Sequence, residues 1–374
     1  MKSLVIHSGM AKTGSSSIQH YLGNEVEALR QQEIFYPGWS PFNHSFELSA
    51  LFRSDSRRGF YYRQFAPESE NAWEAELNRL RERWLAFFES EKQGTFVLSA
   101  ESLEHFSPAE LRALMAFVTP HFEDVRVILY VRHPLEAIKS RWQQAVKQLS
   151  EPAHPDELLI DSKKQAGFGV LRRWSKVVSP DQLIVRPFDS SCFRGGTLLM
   201  DFFTTLGLPT GILPGEEGAA SNPSFGVNGT AFLLRHNARL PVYKNGATNP
   251  ERGLAQSQEL FYRLLRNVSD QPLALNVQFS EEEADTLNGE IGLANQYLSP
   301  EEQFAPVVAS NELTQLPDPG QVSLDFLSDL VNELALALDQ SSEDREHLRK
   351  ALASLEEENA NLLARLLRPA RRDS

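Results

Sequence analysis

Ser3-Leu-Val-Ile-His-Ser8 runs without a break into Gly9-Met-Ala-Lys12-Thr-Gly14 and then Ser15-Ser-Ser17. The first stretch is β-prone and mostly apolar. The second is a loop with a glycine at each end and a lysine inside it. Ser15, Ser16 and Ser17 are of the type that caps a helix. Ile18, Tyr21, Leu22 and Val26 then follow at helical spacing. Strand, glycine loop and helix in this order open many nucleotide-binding α/β domains. The backbone N–H groups and the dipole at such a helix start favour an anion.

Working outward, Thr95–Ser99, Val125–Val131 and Leu183–Pro187 read as further strands. Val125–Val131 is apolar almost throughout, the pattern of a strand buried on both faces. Between them lie helical patterns. Ala72–Glu91 puts Trp73, Leu77, Leu80, Trp84, Phe87 and Phe88 on one side. Pro108–Val118 is a second, and Leu135–Gln148 a third, with Pro134 suited to its first turn. Strands alternating with helices predict a parallel sheet with ligands at the carboxyl ends. Residues 211–320 are rich in Gly, Pro, Asn and Ser, with helical pieces at Leu260–Arg266 and Glu281–Tyr297. They read as a mixed cap over the sheet, with a hinge at Pro317–Gly320.

The tail has its own pattern. Leu324, Leu327, Val331, Leu334 and Leu338 alternate by three and four. Leu348, Leu352, Leu355, Asn359, Leu362 and Leu366 continue the frame. Leu348–Leu366 fits a dimerising coiled coil with Asn359 fixing register, and equally an amphipathic helix packed on its own domain. The expected fold is α/β: a P-loop-like three-layer domain over residues 1–320 with a central parallel sheet and a mixed helical cap. Residues 321–374 form a helical extension, with the coiled-coil stretch at 348–366 as the route to a homodimer.

Composition bounds the function. The 374 residues are 41% hydrophobic and 23% charged, ordinary for a globular chain. A net charge of −13 argues against non-specific nucleic-acid binding. Residues 1–150 hold 17 basic and 18 acidic residues, whereas 151–340 hold 13 and 25. An anionic ligand therefore meets less repulsion in the N-terminal part. One cysteine, Cys192, allows neither an internal disulfide nor a cysteine-based zinc site. The apolar runs fall short of the ~20 residues of a membrane span. The first run is shorter than the ~7–15 residues of a signal-peptide core. The expectation is a cytoplasmic protein without integral membrane contact.

Gly9 and Gly14 have the spacing of a Walker A loop, but the lysine lies inside the loop at Lys12 and Ser15 follows Gly14. An ATP or GTP hydrolase fits this poorly. Lys12-Thr13-Gly14-Ser15-Ser16-Ser17 instead resembles the 5′-phosphosulfate loop of the sulfotransferases that use 3′-phosphoadenosine 5′-phosphosulfate (PAPS). A second motif agrees. The strand Val127–Val131 ends in Arg132-His-Pro134, and Ser140 follows eight residues after Arg132. This is similar to the 3′-phosphate motif of the same superfamily, and an arginine at a strand end suits a bidentate phosphate contact. Ile184–Phe188 and Asp201–Leu208 look like the strand and helix that follow in bacterial members. The resemblance covers about residues 3–305 and leaves out the tail. It implies PAPS as co-substrate, adenosine 3′,5′-bisphosphate as product and no metal. It implies Lys12 against the leaving oxygen, Thr13, Gly14 and Ser15–Ser17 on the 5′-phosphate, and Arg132 with Ser140 on the 3′-phosphate.

Glu101 follows Thr95–Ser99 at the position where carbohydrate-directed members carry a glutamate base. It is the expected general base, with His105 the alternative. His7 and His133 read as structural. The acceptor implied is a hydroxyl of a carbohydrate, glycolipid or other small molecule. Trp142, Gln143, Gln144 and Lys147 are candidates to line its cleft. Arg53, Arg57, Arg58 and Arg63, with Tyr61 and Tyr62, read as a solvated loop or as an anion-binding cluster. Lys244-Asn-Gly246 and Arg252-Gly253 are candidates for a late loop over the nucleotide. Asn222-Pro-Ser224 and Asn228 look like cap turns. Two other readings stay open: a magnesium-dependent P-loop phosphotransferase on a small molecule, and a degenerate scaffold acting through the coiled coil.

Overall fold

The computed structural model describes residues 1–39, 42–148, 154–214, 225–240, 243–244, 247–249, 255–310, 312, 314–318 and 320–340. In chain order the elements are β1 (Lys2–His7), α1 (Ser15–Asn24), α2 (Val26–Arg30), β2 (Ile34–Phe35), α3 (Ser45–Phe52), α4 (Phe60–Phe65), α5 (Glu70–Glu89), β3 (Gly94–Ser99), α6 (Pro108–Val118), β4 (Asp124–Val131) and α7 (Pro134–Gln148). Then come α8 (Pro155–Lys164), α9 (Gly169–Trp174), β5 (Leu183–Pro187), α10 (Leu198–Leu206), α11 (Val227–Arg239), β6 (Tyr243–Lys244), β7 (Ala247–Thr248), α12 (Ala255–Asn267), α13 (Glu281–Asn295) and α14 (Leu324–Gln340).

The chain is α/β, built on a five-stranded all-parallel sheet in the order β2-β3-β1-β4-β5. Contacts divide it into two compact units. The first holds residues 1–137, 166–219 and 279–309, and therefore the whole sheet. The second holds 138–165, 220–278 and 310–374.

In the first unit both faces of the sheet are covered, as a parallel sheet requires. On one face Val5, Val97, Ile128 and Tyr130 pack with Ile18 and Leu22 of α1 and with Phe202 and Phe203 of α10. On the other, Phe96 of β3 meets Phe87 of α5, ring centroids 5.2 Å apart. There too the Trp174 Nε1–H of α9 donates to Ser8 Oγ at 2.9 Å. The result is three layers. Some helices start at side-chain caps, but α1 does not: its N-cap is Gly14, and none of Ser15–Ser17 caps it. Ser69 accepts from the Ala72 N–H to open α5. Ser107 and Glu110 form a reciprocal capping box around Pro108 at the start of α6. The strand Ile34–Phe35 escapes the sequence reading because two residues carry no period. It closes the β3 edge of the sheet.

A buried ionic cluster ties β4, β5 and α10. Asp201 is fully buried and accepts from the Tyr130 hydroxyl (2.7 Å), Arg186 Nη2 (2.6 Å) and the Arg194 N–H (2.9 Å). Arg186 also pairs with Glu302 and donates to the Cys192 carbonyl. The neighbouring carboxylates hold the Arg186 guanidinium above its ordinary range against the effect of burial.

In the second unit Phe326, Leu327, Leu330 and Leu334 are the buried positions of α14 among its described side chains. The buried seam of Leu324–Leu334 thus runs through Phe326 and Leu330 as well as Leu327 and Leu334, and Val331 is only half-buried. The coiled-coil stretch 348–366 lies outside the described residues. Asn228 donates to Asp270 (3.0 Å) and accepts from the Ser323 N–H (2.9 Å), joining parts of that unit. Trp142 is buried and donates to the Pro155 carbonyl at 3.1 Å, so its indole serves packing. No helix is long and apolar enough to cross a membrane among the described residues.

Candidate functional site

The strand order fixes where a ligand belongs. After β1 the chain moves to β2 on one side of the sheet, and after β4 it moves to β5 on the other. The crevice at the carboxyl ends of β1 and β4 is therefore the topological switch point. The Ser8 N–H donates to the Ile128 carbonyl at 3.0 Å, so the two strands stay paired up to that edge.

The loop after β1 is shaped by its own small residues. A Cβ on Gly9 would lie 2.2 Å from Ser15 Oγ, and one on Gly14 would lie 2.3 Å from Leu198 Cδ2. Gly14 is also left-handed, at φ 74°. A side chain at either position must displace Ser15 or Leu198, and at Gly14 it must also take a left-handed backbone. The Thr13 hydroxyl is buried and donates to the Met10 carbonyl at 2.7 Å, and Ser15 Oγ donates to the same oxygen at 3.4 Å. These two hydroxyls close the loop on itself. The Ser17 and Ile18 N–H groups donate to the Gly14 carbonyl at 3.0 and 3.2 Å and begin α1. The N–H groups of Ser15 and Ser16 come before those bonds, at a helix start with no acidic residue in its first turn. Ser16 and Ser17 are exposed.

Lys12 is exposed and sits at φ 68°, a left-handed conformation that costs a residue with a Cβ about 1–2 kcal/mol. It is held there from β4. Arg132, the first residue past that strand, donates Nη1 to the Lys12 carbonyl at 3.3 Å. The Arg132 guanidinium also lies over the Phe188 ring, 5.5 Å from its centroid, just past β5. Burial lowers its pKa, opposed by the charges of Glu136 and Asp189. The ends of β1, β4 and β5 thus converge on Lys12, Arg132 and Phe188. Phe188 stands in the sequence motif, yet nothing in its spacing reveals that its ring carries the arginine.

β3 delivers Glu101. The chain leaves Ser99 and turns through a 3₁₀ segment, Glu101–His105, with Glu101 half-buried. Three residues on, the buried Glu104 accepts the Ala11 N–H at 2.8 Å. Arg173 of α9 donates to the Glu104 carbonyl. This segment is therefore bonded directly to the loop between β1 and α1. Sequence reasoning missed Glu104, although its distance of three from Glu101 is the signal that puts both on one short turn. His105 is exposed and pairs with Glu104 at 3.2 Å.

Beneath the loop lies a polar core. His7 Nδ1 is 2.8 Å from Ser99 Oγ, which also accepts from Gln19 Nε2 at 3.0 Å. Complete burial pulls the His7 pKa down to about 4, so the ring is neutral near pH 7. The Ser99 N–H donates to Nδ1 of His44, whose pKa burial pulls to about 3. His133 accepts the Leu135 N–H at Nδ1 (3.2 Å), and its Nε2 is 3.0 Å from the Ala305 carbonyl. Both bonds shape the turn into α7.

Ser140 lies on α7 in the segment assigned to the second unit, and is half-buried. The arginine loop carries paired charges: Arg53 donates two bonds to Asp55 (2.6 and 2.8 Å), and Arg57 pairs with Glu70. Lys147 of the second unit lies over the Phe225 ring at 4.8 Å. Residues 222–224, 245–246 and 252–253 of the proposed cap turns and late loop lie outside the described residues, as does the side chain of Lys244. Among the described residues no cluster of three or more His, Cys, Asp or Glu could hold a metal ion.

No family model and no curated protein matches this chain. Among solved structures it is similar to the sulfotransferase domain from the curacin biosynthetic pathway, at 13% identity and a TM-score of 0.32, covering 56% of this chain and 75% of that one. It is also similar to the sulfotransferase domain of the Synechococcus PCC 7002 olefin synthase, at 12% identity and a TM-score of 0.33, covering 79% and 94%.

Proposed function

We propose that this chain is a sulfotransferase that moves the sulfuryl group of PAPS to a hydroxyl of a carbohydrate, glycolipid or other small-molecule acceptor. The observation that carries the reading is the bond from Arg132 to the Lys12 carbonyl. It joins, at the switch point of the sheet, the two motifs that the sequence links to the two phosphate ends of one nucleotide.

The chemistry follows from the residues. The N–H groups at the start of α1 and the hydroxyls of Ser16 and Ser17 receive the 5′-phosphate. Arg132 takes the 3′-phosphate, and Ser140 joins it on the strength of the sequence motif alone. The acceptor oxygen attacks sulfur as the bond from sulfur to the bridging phosphate oxygen breaks. The acceptor proton passes to the Glu101 carboxylate. The departing oxygen gains negative charge, which Lys12 Nζ stabilises. Stabilisation of developing charge by a group already in place is commonly the main source of an enzyme's rate enhancement. The products are the sulfate ester and adenosine 3′,5′-bisphosphate.

A thermal melt tests this. A ligand at 100 times its Kd adds about 2.7 kcal/mol to stability. Adenosine 3′,5′-bisphosphate raises the melting temperature of the wild type and that of Arg132→Ala much less. A rise with ATP and Mg²⁺ alone overturns the proposal in favour of a phosphotransferase.

A further inference from the structure

Within the first unit a cavity of about 270 Å³ opens among α3, the turn Asp55–Gly59, Tyr61 of α4 and Ser102. Ser102 follows Glu101 in the chain, so one wall of the cavity continues directly into the turn that presents the proposed base. That wall is fixed. The Ser102 N–H donates to Ser45 Oγ at 2.9 Å, and Ser102 Oγ donates to the Ser45 carbonyl at 3.1 Å. α3 and the Glu101 turn therefore hold one geometry.

The lining has a definite chemistry. Phe46, 37% exposed, and Tyr61 are the aromatic residues of the lining. Ser49 and Ser56 line it as well. The wall also carries a cation and an anion, Arg53 and Asp55, bonded to each other through two hydrogen bonds of 2.6 and 2.8 Å. The two charges are paired, so an added carboxylate or sulfate competes with Asp55 for Arg53. An aromatic and serine lining beside a paired charge suits a neutral polyhydroxylated ring. The volume lies just under the ~300–1,000 Å³ range of small-molecule pockets, so a single sugar unit is the scale that fits.

We infer that this cavity is the acceptor site and that it selects a neutral, hydroxyl-bearing ring of monosaccharide size over its anionic counterpart. The inference rests on the sulfotransferase reading for its link to Glu101. Occupancy of the cavity does not depend on that reading, so the two can fail separately.

Ligand-observed NMR on the full chain tests it, with p-nitrophenyl β-glucoside as the neutral probe and p-nitrophenyl β-glucuronide as the anionic one. The wild type binds the glucoside at least about tenfold more tightly, because a carboxylate placed there meets an arginine already committed to Asp55. Ser49→Trp fills the cavity and abolishes glucoside binding while adenosine 3′,5′-bisphosphate still binds, which also shows that the variant is folded. Asp55→Asn leaves the Arg53 charge without that carboxylate and moves the preference toward the glucuronide. Absence of glucoside binding in the wild type, equal binding of both probes, or glucoside binding that survives Ser49→Trp would each overturn the inference. Loss of bisphosphate binding in the wild type alongside cavity-dependent glucoside binding would sink the nucleotide assignment and leave the pocket standing.

Discussion

Lys12 is the residue on which the site turns. Its backbone is held left-handed although it carries a Cβ, and the Arg132 bond to its carbonyl helps to keep it there. Glu33 and Ala66 are left-handed as well, so the strain at Lys12 supports the proposed role only together with the motif in which it stands. Glu101 has the complementary part in the proposal. Replacing it with Gln keeps the shape and removes the proposed base. That change lowers kcat by about 10²–10⁴-fold with bisphosphate affinity unchanged, as steady-state kinetics beside a binding titration will show. An equal loss of affinity would reassign Glu101 to ligand binding. A pH effect belongs to the buried histidines. His7 and His44 have folded pKa values of about 4 and about 3, below the 6.5 of a free histidine. The unfolded chain therefore binds more protons below pH 6.5. Their contribution to stability is intact above that pH and is lost as pH falls from 6.5 through 4 and on toward 3. Urea unfolding followed between pH 7 and pH 5 shows this fall, and His7→Gln flattens it. An unchanged slope would place the acid sensitivity elsewhere.

At the scale of elements, the β1–α1 loop and the β5–α10 corner carry different loads. Gly9→Ala puts a methyl 2.2 Å from Ser15 Oγ and displaces a hydroxyl that closes the loop. The sheet does not depend on that atom. The variant keeps its far-ultraviolet circular dichroism and loses bisphosphate binding. Retained binding would mean that the loop can reshape. The Asp201 corner works for stability instead. Asp201→Ala leaves Arg186 buried beside Glu302 without its main partner and costs about 3–5 kcal/mol, to be read from urea denaturation. A cost within about 1 kcal/mol, the scale of a surface ion pair, would show that water reaches the corner. These elements were unequally visible in the sequence. Leu183–Pro187 carries enough β-branched and apolar residues to be read as a strand, and Pro108–Val118 carries its capping box in plain letters. The Arg186–Asp201 pair lies fifteen residues apart across a turn, and no local period announces it. Glu104 and Phe188 were hidden for the same reason. Their partners, Ala11 and Arg132, come from other strand ends and meet them only in three dimensions.

At the scale of the molecule, alternation of strands and helices was sufficient to anticipate a parallel α/β sheet, because each strand between covered faces must be apolar nearly throughout. The order of strands was not legible, and it is the order that creates the crevice between β1 and β4. Once β1 is central, the glycine loop and Arg132 meet at one edge, and β3 brings Glu101 to the same edge of the sheet. The acidic excess of residues 151–340 leaves the nearly neutral N-terminal part as the less repulsive place for an anionic ligand. The central claim is that this edge reads a phosphate on each end of one nucleotide. Calorimetric titration of wild type and Arg132→Ala with adenosine 3′,5′-bisphosphate and with adenosine 5′-monophosphate tests it most directly. A charge-assisted phosphate contact is worth about 1.5–3 kcal/mol, so the wild type prefers the bisphosphate by roughly 10- to 150-fold, and Arg132→Ala erases that preference. Equal affinity for the two nucleotides in the wild type, or an equal loss for both in the variant, would contradict the assignment.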